Sequence, residues 1–182
     1  MTVQESDHRL GELILFICQK SVDDYYFGAI KLNKLLFYSD FYAYGRWGNT
    51  ITGAEYWNLP EGPAPKRLVQ VRQSLLENGF LAIQRREVAQ GYIQQRPIQL
   101  RPPELSIFRG DQLALSEEVI YEHRHLTGKE ITEKSHLEWG WKLTKERDTI
   151  DPSSILLSPE KLSDHEIGKA LELAEAFAES NG

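Results

Sequence analysis

The sequence predicts a mainly α fold of the α+β kind, a compact helical domain with a small β-hairpin or winged-helix-like element. Three observations carry this. Apolar residues recur at helical spacing in several windows, first at Leu10, Leu13, Ile14, Ile17 and Cys18. Strand-like alternation is confined to short stretches, chiefly between residues 80 and 100. The 182 residues are 41% hydrophobic and 26% charged, enough to close one core without disulfide or metal staples.

The first helix is expected at about 7–20, capped by Ser6 with Asp7 in its first turn. A second, at about 28–44, carries Leu32, Leu35, Leu36 and Ser39 to Tyr42 at helical spacing. Phe37, Tyr38, Phe41 and Tyr44 widen its apolar face almost all round, which predicts a central, buried helix, with Gly45 as its stop. Asn49 to Trp57 reads as a short strand or hairpin arm. Leu59-Pro60-Glu61-Gly62-Pro63-Ala64-Pro65 must be a rigid turn, with Pro65 able to open the next helix. That helix, about 65–78, sets Leu68, Val71, Leu75 and Leu76 against Lys66, Arg67 and Arg72 and ends at Asn78-Gly79. Phe80 to Arg86 and Tyr92 to Leu100 then read as paired strands turning near Gly91, with Pro97 implying an edge. Ser116 is a candidate cap for a helix at about 117–127, stopped by Gly128. A shorter helix follows at about 129–136, then a Trp139–Trp141 segment broken by Gly140. Ser163-Asp164-His165-Glu166 forms a capping box for a last helix striped by Ile167, Ala170, Leu171, Ala174 and Phe177. Residues 1–150 form the expected domain, and 151–182 a C-terminal helical extension.

The net charge of −6 hides an asymmetry: −2 over residues 1–60, +4 over 61–110 and −8 over 111–182. The global sign disfavours non-specific nucleic-acid binding, while the middle leaves room for a local basic face. One cysteine excludes an internal disulfide and four-cysteine zinc sites. The polar, acidic N-terminus is no signal peptide, and the longest apolar run, Leu13 to Cys18, is far short of the ~20 residues that span a bilayer. A soluble, cytoplasmic protein with no membrane contact is expected.

Catalytic signatures are missing. There is no P-loop, no Gly-x-Ser-x-Gly elbow and no His-Glu-x-x-His. His123 and His125, two apart on a helix, point in opposed directions and cannot grip one ion. Cys18 lies on an apolar stripe and reads as a small core residue. Asp23-Asp24 reads as a charge complement to the following helix N-terminus. No enzyme, cofactor or metal is expected. The aromatic supply is what stands out: four Trp, eight Tyr and seven Phe, with Tyr25, Tyr26, Phe27, Tyr42, Tyr44, Trp47, Tyr56 and Trp57 in the first third. Such residues fill cores and also anchor protein interfaces.

Lys31-Leu32-Asn33-Lys34-Leu35-Leu36-Phe37-Tyr38-Ser39-Asp40 resembles the Lys-Leu-x-Lys-Leu-Leu-Tyr-Tyr signature of the Panacea family, the SocA-like antitoxin domains. In the same order, Trp57 with Gly62-Pro63 resembles the family's Trp-x-x-Gly-Pro turn. Leu126-Thr127-Gly128-Lys129-Glu130-Ile131 resembles its Thr-Gly-x-x-Leu step, and Ser135-His136 with Trp141 its Ser-His…Trp element. The match spans about 10–142. It departs where Leu59-Pro60-Glu61 precedes the glycine in place of the usual tyrosine, and beyond Thr149. The resemblance implies a helical fold with a small β element and an antitoxin that binds a cognate toxin of a bacterial or phage pair. It also implies a protease or chaperone as a further partner where a member acts as a proteolytic adaptor, and links to prophages. Lys31, Lys34, Tyr38, Trp57, Gly62, Pro63, Arg67, His136 and Trp141 are the candidate motif and partner-binding residues. The alternative is a DNA-binding regulator that sets helix 65–78 and the 80–100 hairpin on promoter DNA, with Lys66, Arg67, Arg72, Arg85, Arg86 and Arg96 facing phosphates. A third class, an enzyme with a cleft built on Asp40 and His136, is the weakest of the three.

Overall fold

The computed structural model describes residues 1–89 and 91–157. The last expected helix, with its Ser163 capping box, lies outside them. Among the described residues six α-helices and five short strands follow one another as α1 (Val3–Lys20), α2 (Ala29–Trp47), β1 (Tyr56–Trp57), β2 (Ala64–Pro65), α3 (Leu68–Glu77), β3 (Leu81–Ala89), β4 (Tyr92–Gln99), α4 (Gly110–His123), α5 (Gly128–Ser135), α6 (Trp139–Leu143) and β5 (Thr149–Ile150). Single 3-10 turns occupy Leu105–Ile107 and Pro152–Leu156. The mainly α class is as the periodicity predicts.

α1 begins four residues before the expected start. Thr2, not Ser6, is its cap: the Thr2 hydroxyl accepts from the Glu5 amide, and Glu5 accepts from the Thr2 amide at 2.7 Å. The capping box outcompetes Ser6 because it satisfies two orphan donors at once. Leu10, Leu13, Ile14, Ile17 and Cys18 are all buried, as their spacing requires.

α2 is the central helix. It packs against α1, α4, α5, β2, β4 and the 152–156 turn. Its interior cluster includes Phe37 and Phe41, 4.2 Å apart, with Tyr56 edge-on to Phe41 at 5.3 Å. Each such aromatic pair adds roughly 0.5–1.5 kcal/mol beyond its burial. The helix does not stop at Gly45. It runs on to Trp47 and ends at Gly48 in the left-handed conformation, φ +70°. Gly45 has a different use: a Cβ there would lie 3.3 Å from Ile155 Cγ2. Gly140 likewise does not break its segment but sits inside α6, where a Cβ would come 2.7 Å from Ile150 Cγ2. Both glycines let residues 149–156 lie close on the body of the domain.

The expected 49–57 strand shrinks to β1. It pairs antiparallel with β2 on one side (Tyr56 with Pro65) and β5 on the other (Tyr56 with Ile150). Pro65 belongs to β2, and α3 starts only at Leu68. β3 and β4 form the expected hairpin, in register from Leu81–Gln99 to Ala89–Tyr92 with an irregularity between Glu87 and Ala89. α4 starts at Gly110, not after Ser116. The Ser116 hydroxyl is buried and donates back to the Gln112 carbonyl within the helix. α5 has the second full capping box, Thr127 with Glu130.

Candidate functional site

Lys31, Lys34 and Tyr38 fall at i, i+3 and i+7 of α2 and so share one face. That face is turned inward, and all three side chains are buried. Lys31 Nζ pairs with Asp24 at 2.6 Å and donates to the carbonyls of Arg124 and Leu126. One ammonium thus ties the α1–α2 loop to the α4–α5 turn. Burial still lowers its pKa, against the opposing pull of Asp24.

Lys34 has a thinner shell. Its Nζ donates to the Pro63 carbonyl at 3.3 Å, and burial holds its pKa down to about 8, with Glu61 opposing. The Gly62-Pro63 turn rests on this side chain. Gly62 has φ +86°, and a Cβ there would lie 2.5 Å from Ser135 Oγ and 2.9 Å from Lys34 Cε. Only glycine meets both the dihedral and the close approach.

Tyr38 stacks on His123 with ring centroids 4.6 Å apart. Lys134 Nζ lies 5.1 Å above the Tyr38 ring and 2.7 Å from His123 Nε2. His123 Nδ1 is 2.7 Å from the Val119 carbonyl. These contacts assign the proton to Nδ1 and leave Nε2 to accept from Lys134: a neutral imidazole. Burial lowers the His123 pKa in keeping with this. Burial also raises the carboxyl pKa of Glu138, beside Tyr38, and raises that of the Tyr38 hydroxyl.

His136 stacks on Trp141 at 4.0 Å, and burial followed by the Lys34 charge lowers its pKa. Trp141 Nε1 donates to the Leu59 carbonyl, and Asn58 donates to the Trp141 and Thr144 carbonyls. Lys31, Lys34, Tyr38, Gly62, Pro63, His136 and Trp141 therefore converge on one polar seam, where α2 meets the 58–63 turn and α4 to α6. Trp57 and Arg67 lie apart from it. Trp57 is half-buried under Lys66 Nζ at 5.2 Å, and Arg67 makes a two-pronged pair with Asp7 of α1.

Asp40 is fully buried and accepts from the Thr52 amide and hydroxyl and from the Tyr56 hydroxyl, fastening the 51–56 loop to α2; burial raises its pKa. None of those contacts leads to His136. Cys18 is buried and its thiol is pushed up to about 12. His123 is internal and His125 exposed. Asp24 works through Lys31, and its carboxylate accepts from the Tyr26 amide at 2.8 Å. Among the described residues no cluster of three or more metal-ligating side chains forms, and no helix is long and apolar enough to cross a membrane.

The basic middle of the chain is largely engaged inside the molecule. Arg96 is buried and donates to four carbonyls, those of Ser21, Val22, Asp24 and Phe27. Arg86 donates to the Tyr25 carbonyl and sits over the Tyr25 ring, while Lys66 pairs with Glu55. Of the six cations expected to face phosphates, Arg72 and Arg85 alone are without such a contact among the described residues.

The open surface is elsewhere. In the α1–α2 loop Phe27 is buried, but Tyr25 and Tyr26 are exposed at 56% and 42%, edge-on to one another at 5.4 Å. A groove of about 870 Å³ separates this ridge from α4, and another of about 690 Å³ separates it from β4 and the start of α5. Val22, Ile30, Ile93 and Tyr121 add exposed apolar surface around the ridge. The aromatic run Tyr25-Tyr26-Phe27 was visible in the sequence; which ring points inward was not, because that depends on where Arg96 and α4 lie.

A family model described as "Antitoxin SocA-like, Panacea domain" matches residues 32–142, more than half of the chain. No curated protein matches, and no solved structure matches.

Proposed function

We propose, from the premise that the chain belongs to the SocA-like Panacea antitoxin domain family, that it is an antitoxin neutralising a cognate toxin by direct protein binding. The single observation that carries this is the family match across α2 to α6. The structure adds support of a second kind. The motif residues build a rigid interior seam, and the aromatic side chains left outside gather on one ridge flanked by grooves. Exposed tyrosines with few rotors suit a binding protein, which needs roughly 800 Å² per partner and a few aromatic anchors. Proteolytic delivery of the bound toxin and a cytoplasmic site of action belong to the same reading. The order α3–β3–β4 is that of a winged helix, but the inward turn of Arg96 and the pairing of Arg67 and Lys66 give it little free charge for DNA phosphates.

The test is co-expression with the product of the adjacent reading frame. That product alone should arrest growth, and this chain should restore growth and co-purify with it at equal stoichiometry. If the adjacent product is harmless, or its toxicity is untouched by this chain, the reading fails.

A further inference from the structure

The groove on the α4 side of the tyrosine ridge has more carboxylates than cations: Asp23, Asp24, Glu117 and Glu118 line it against Lys20 and Arg124. From Gly110 to His123 there is no lysine or arginine, and the exposed residues include Asp111, Glu117, Glu118 and Glu122. Ala114, Glu117, Glu118 and Tyr121 fall at i, i+3, i+4 and i+7 and line one wall of the larger groove; Tyr25 and Tyr26 line the other. Asp23 is exposed at the groove's end. Three cations of the chain itself meet this wall: Lys20 pairs with Glu117 at 2.7 Å and Arg46 with Glu118 at 2.9 Å, both exposed, and Arg124 lies over the Tyr121 ring. Such pairs are weak and exchangeable. The rings already accept guanidinium groups: Arg124 lies 4.0 Å from the Tyr121 centroid and Arg86 4.5 Å from that of Tyr25.

We propose that this groove docks a basic segment of a partner protein, with arginines or lysines meeting Glu117, Glu118 and Asp23 and apolar side chains set between them against Tyr25, Tyr26 and Tyr121. On the reading above that partner is the toxin, and the proposal rests on it for the partner's identity but not for the chemistry. Carboxylates on one wall and aromatic faces on the other select cationic side chains over anionic ones and accelerate capture at low salt.

The decisive measurement is fluorescence anisotropy on the full chain with two labelled probes, a short peptide alternating arginine with leucine and its glutamate–leucine counterpart. The basic probe should bind, more weakly as salt rises, and the acidic probe at least about tenfold less well. The double variant Tyr25→Ala/Tyr26→Ala should lose about tenfold, as truncation of aromatic anchors does. Glu117→Gln/Glu118→Gln should lose several-fold, whereas Glu146→Gln/Asp148→Asn, which removes as much charge outside the groove, should bind like the wild type. No binding of the basic probe, equal binding of both probes, or equal binding by all variants overturns the proposal. All the changed side chains are exposed, and matching thermal unfolding midpoints exclude misfolding as the cause. The growth assay separates the two readings. Rescue by wild type and equally by the tyrosine variant would remove the groove and leave the antitoxin; loss of rescue in the variant supports the groove. Absence of any rescue, with the peptide results intact, would remove the antitoxin and leave the groove.

Discussion

Replacing Lys34 by methionine should stabilise the protein at neutral pH and remove a defined part of its alkaline pH dependence. Lys34 is 1% exposed, and its Nζ makes one long hydrogen bond, to the Pro63 carbonyl at 3.3 Å. Burial lowers its pKa from 10.5 to about 8. At ~1.36 kcal/mol per pKa unit, the buried ammonium costs the folded state about 3 kcal/mol at pH 7, where it is protonated folded and unfolded alike. Methionine fills similar volume without the charge. The lost hydrogen bond and the unpaired carbonyl offset roughly 1–2 kcal/mol, so the variant should gain about 1–2 kcal/mol at pH 7. The sign then reverses with pH. Between about 8 and 10.5 the unfolded lysine holds its proton and the folded one does not, so this group makes wild-type stability rise with pH. By about pH 9.5 the wild type recovers about 2 kcal/mol relative to the variant. Groups that do not touch Lys34 are common to both proteins and cancel in the difference. Urea unfolding of both proteins at the two pH values measures it. A difference that stays flat, or that grows with pH, refutes the desolvated-lysine argument.

Gly62→Ala should destabilise the protein by roughly 2–4 kcal/mol in urea unfolding, since alanine must adopt φ +86° and press on Ser135 and Lys34; a loss under ~1 kcal/mol would show that the turn relaxes freely. Arg96→Lys should cost about 2–4 kcal/mol by the same measurement, because an ammonium cannot reproduce the fork that spans four carbonyls, and a near-neutral result would contradict that role. His123→Phe keeps a ring against Tyr38 but removes a group whose pKa is lowered by burial. Stability that depends on this histidine staying neutral is complete above the unfolded pKa of ~6.5 and is lost as pH falls below it. The acid-side slope of melting temperature should therefore shrink in the variant without vanishing, since His136 has the same sign; an unchanged slope would count against a buried neutral His123.

The helices that bury an apolar stripe were legible because periodicity reports burial directly: α1, α2 and α3 all carry their predicted stripes inward. Single-residue punctuation was less faithful. Gly45 and Gly140 read as stops, yet each is the spot where residues 149–156 touch a helix, and close approach leaves the same letter as a chain break. Ser116 read as a cap, but a serine inside a helix can bond back to its own backbone. The motif lysines were legible as a pattern and not as a place. A helical register sets Lys31, Lys34 and Tyr38 on one face, while the decision that this face looks inward is made by Asp24, Pro63 and the α4–α5 turn, all distant in sequence. The basic stretch misled for the same reason, since Arg96 reaches its four carbonyls across some seventy residues.

The bounds of the family match follow this division in part. The matched segment opens at Leu32 and closes at Trp141-Lys142. It contains Lys34, Tyr38, the Gly62-Pro63 turn and the His136–Trp141 stack, whose partners are other interior groups. Val22, Tyr25, Tyr26 and Ile30 precede it, as does Lys31 of the seam, while Ile93 and Tyr121 beside the ridge fall within it. A buried polar seam ties its members to one another, so a change at any one of them is felt in stability, as a loss where it strands a partner and as a gain where it removes a poorly paired charge. An exposed ridge carries no such obligation. Its tyrosines are held by Arg86, by the Asp24 turn and by Phe27 below them, so their outward faces can be exchanged without disturbing the core. On the proposed reading, such a fold holds its shape through one set of residues and would choose its partner through another. Substitutions at Tyr25 and Tyr26 should therefore alter binding while leaving the unfolding midpoint in place, and substitutions at Lys34 or Gly62 should do the reverse; a coupled response of both quantities to either set would show that seam and ridge are not separable.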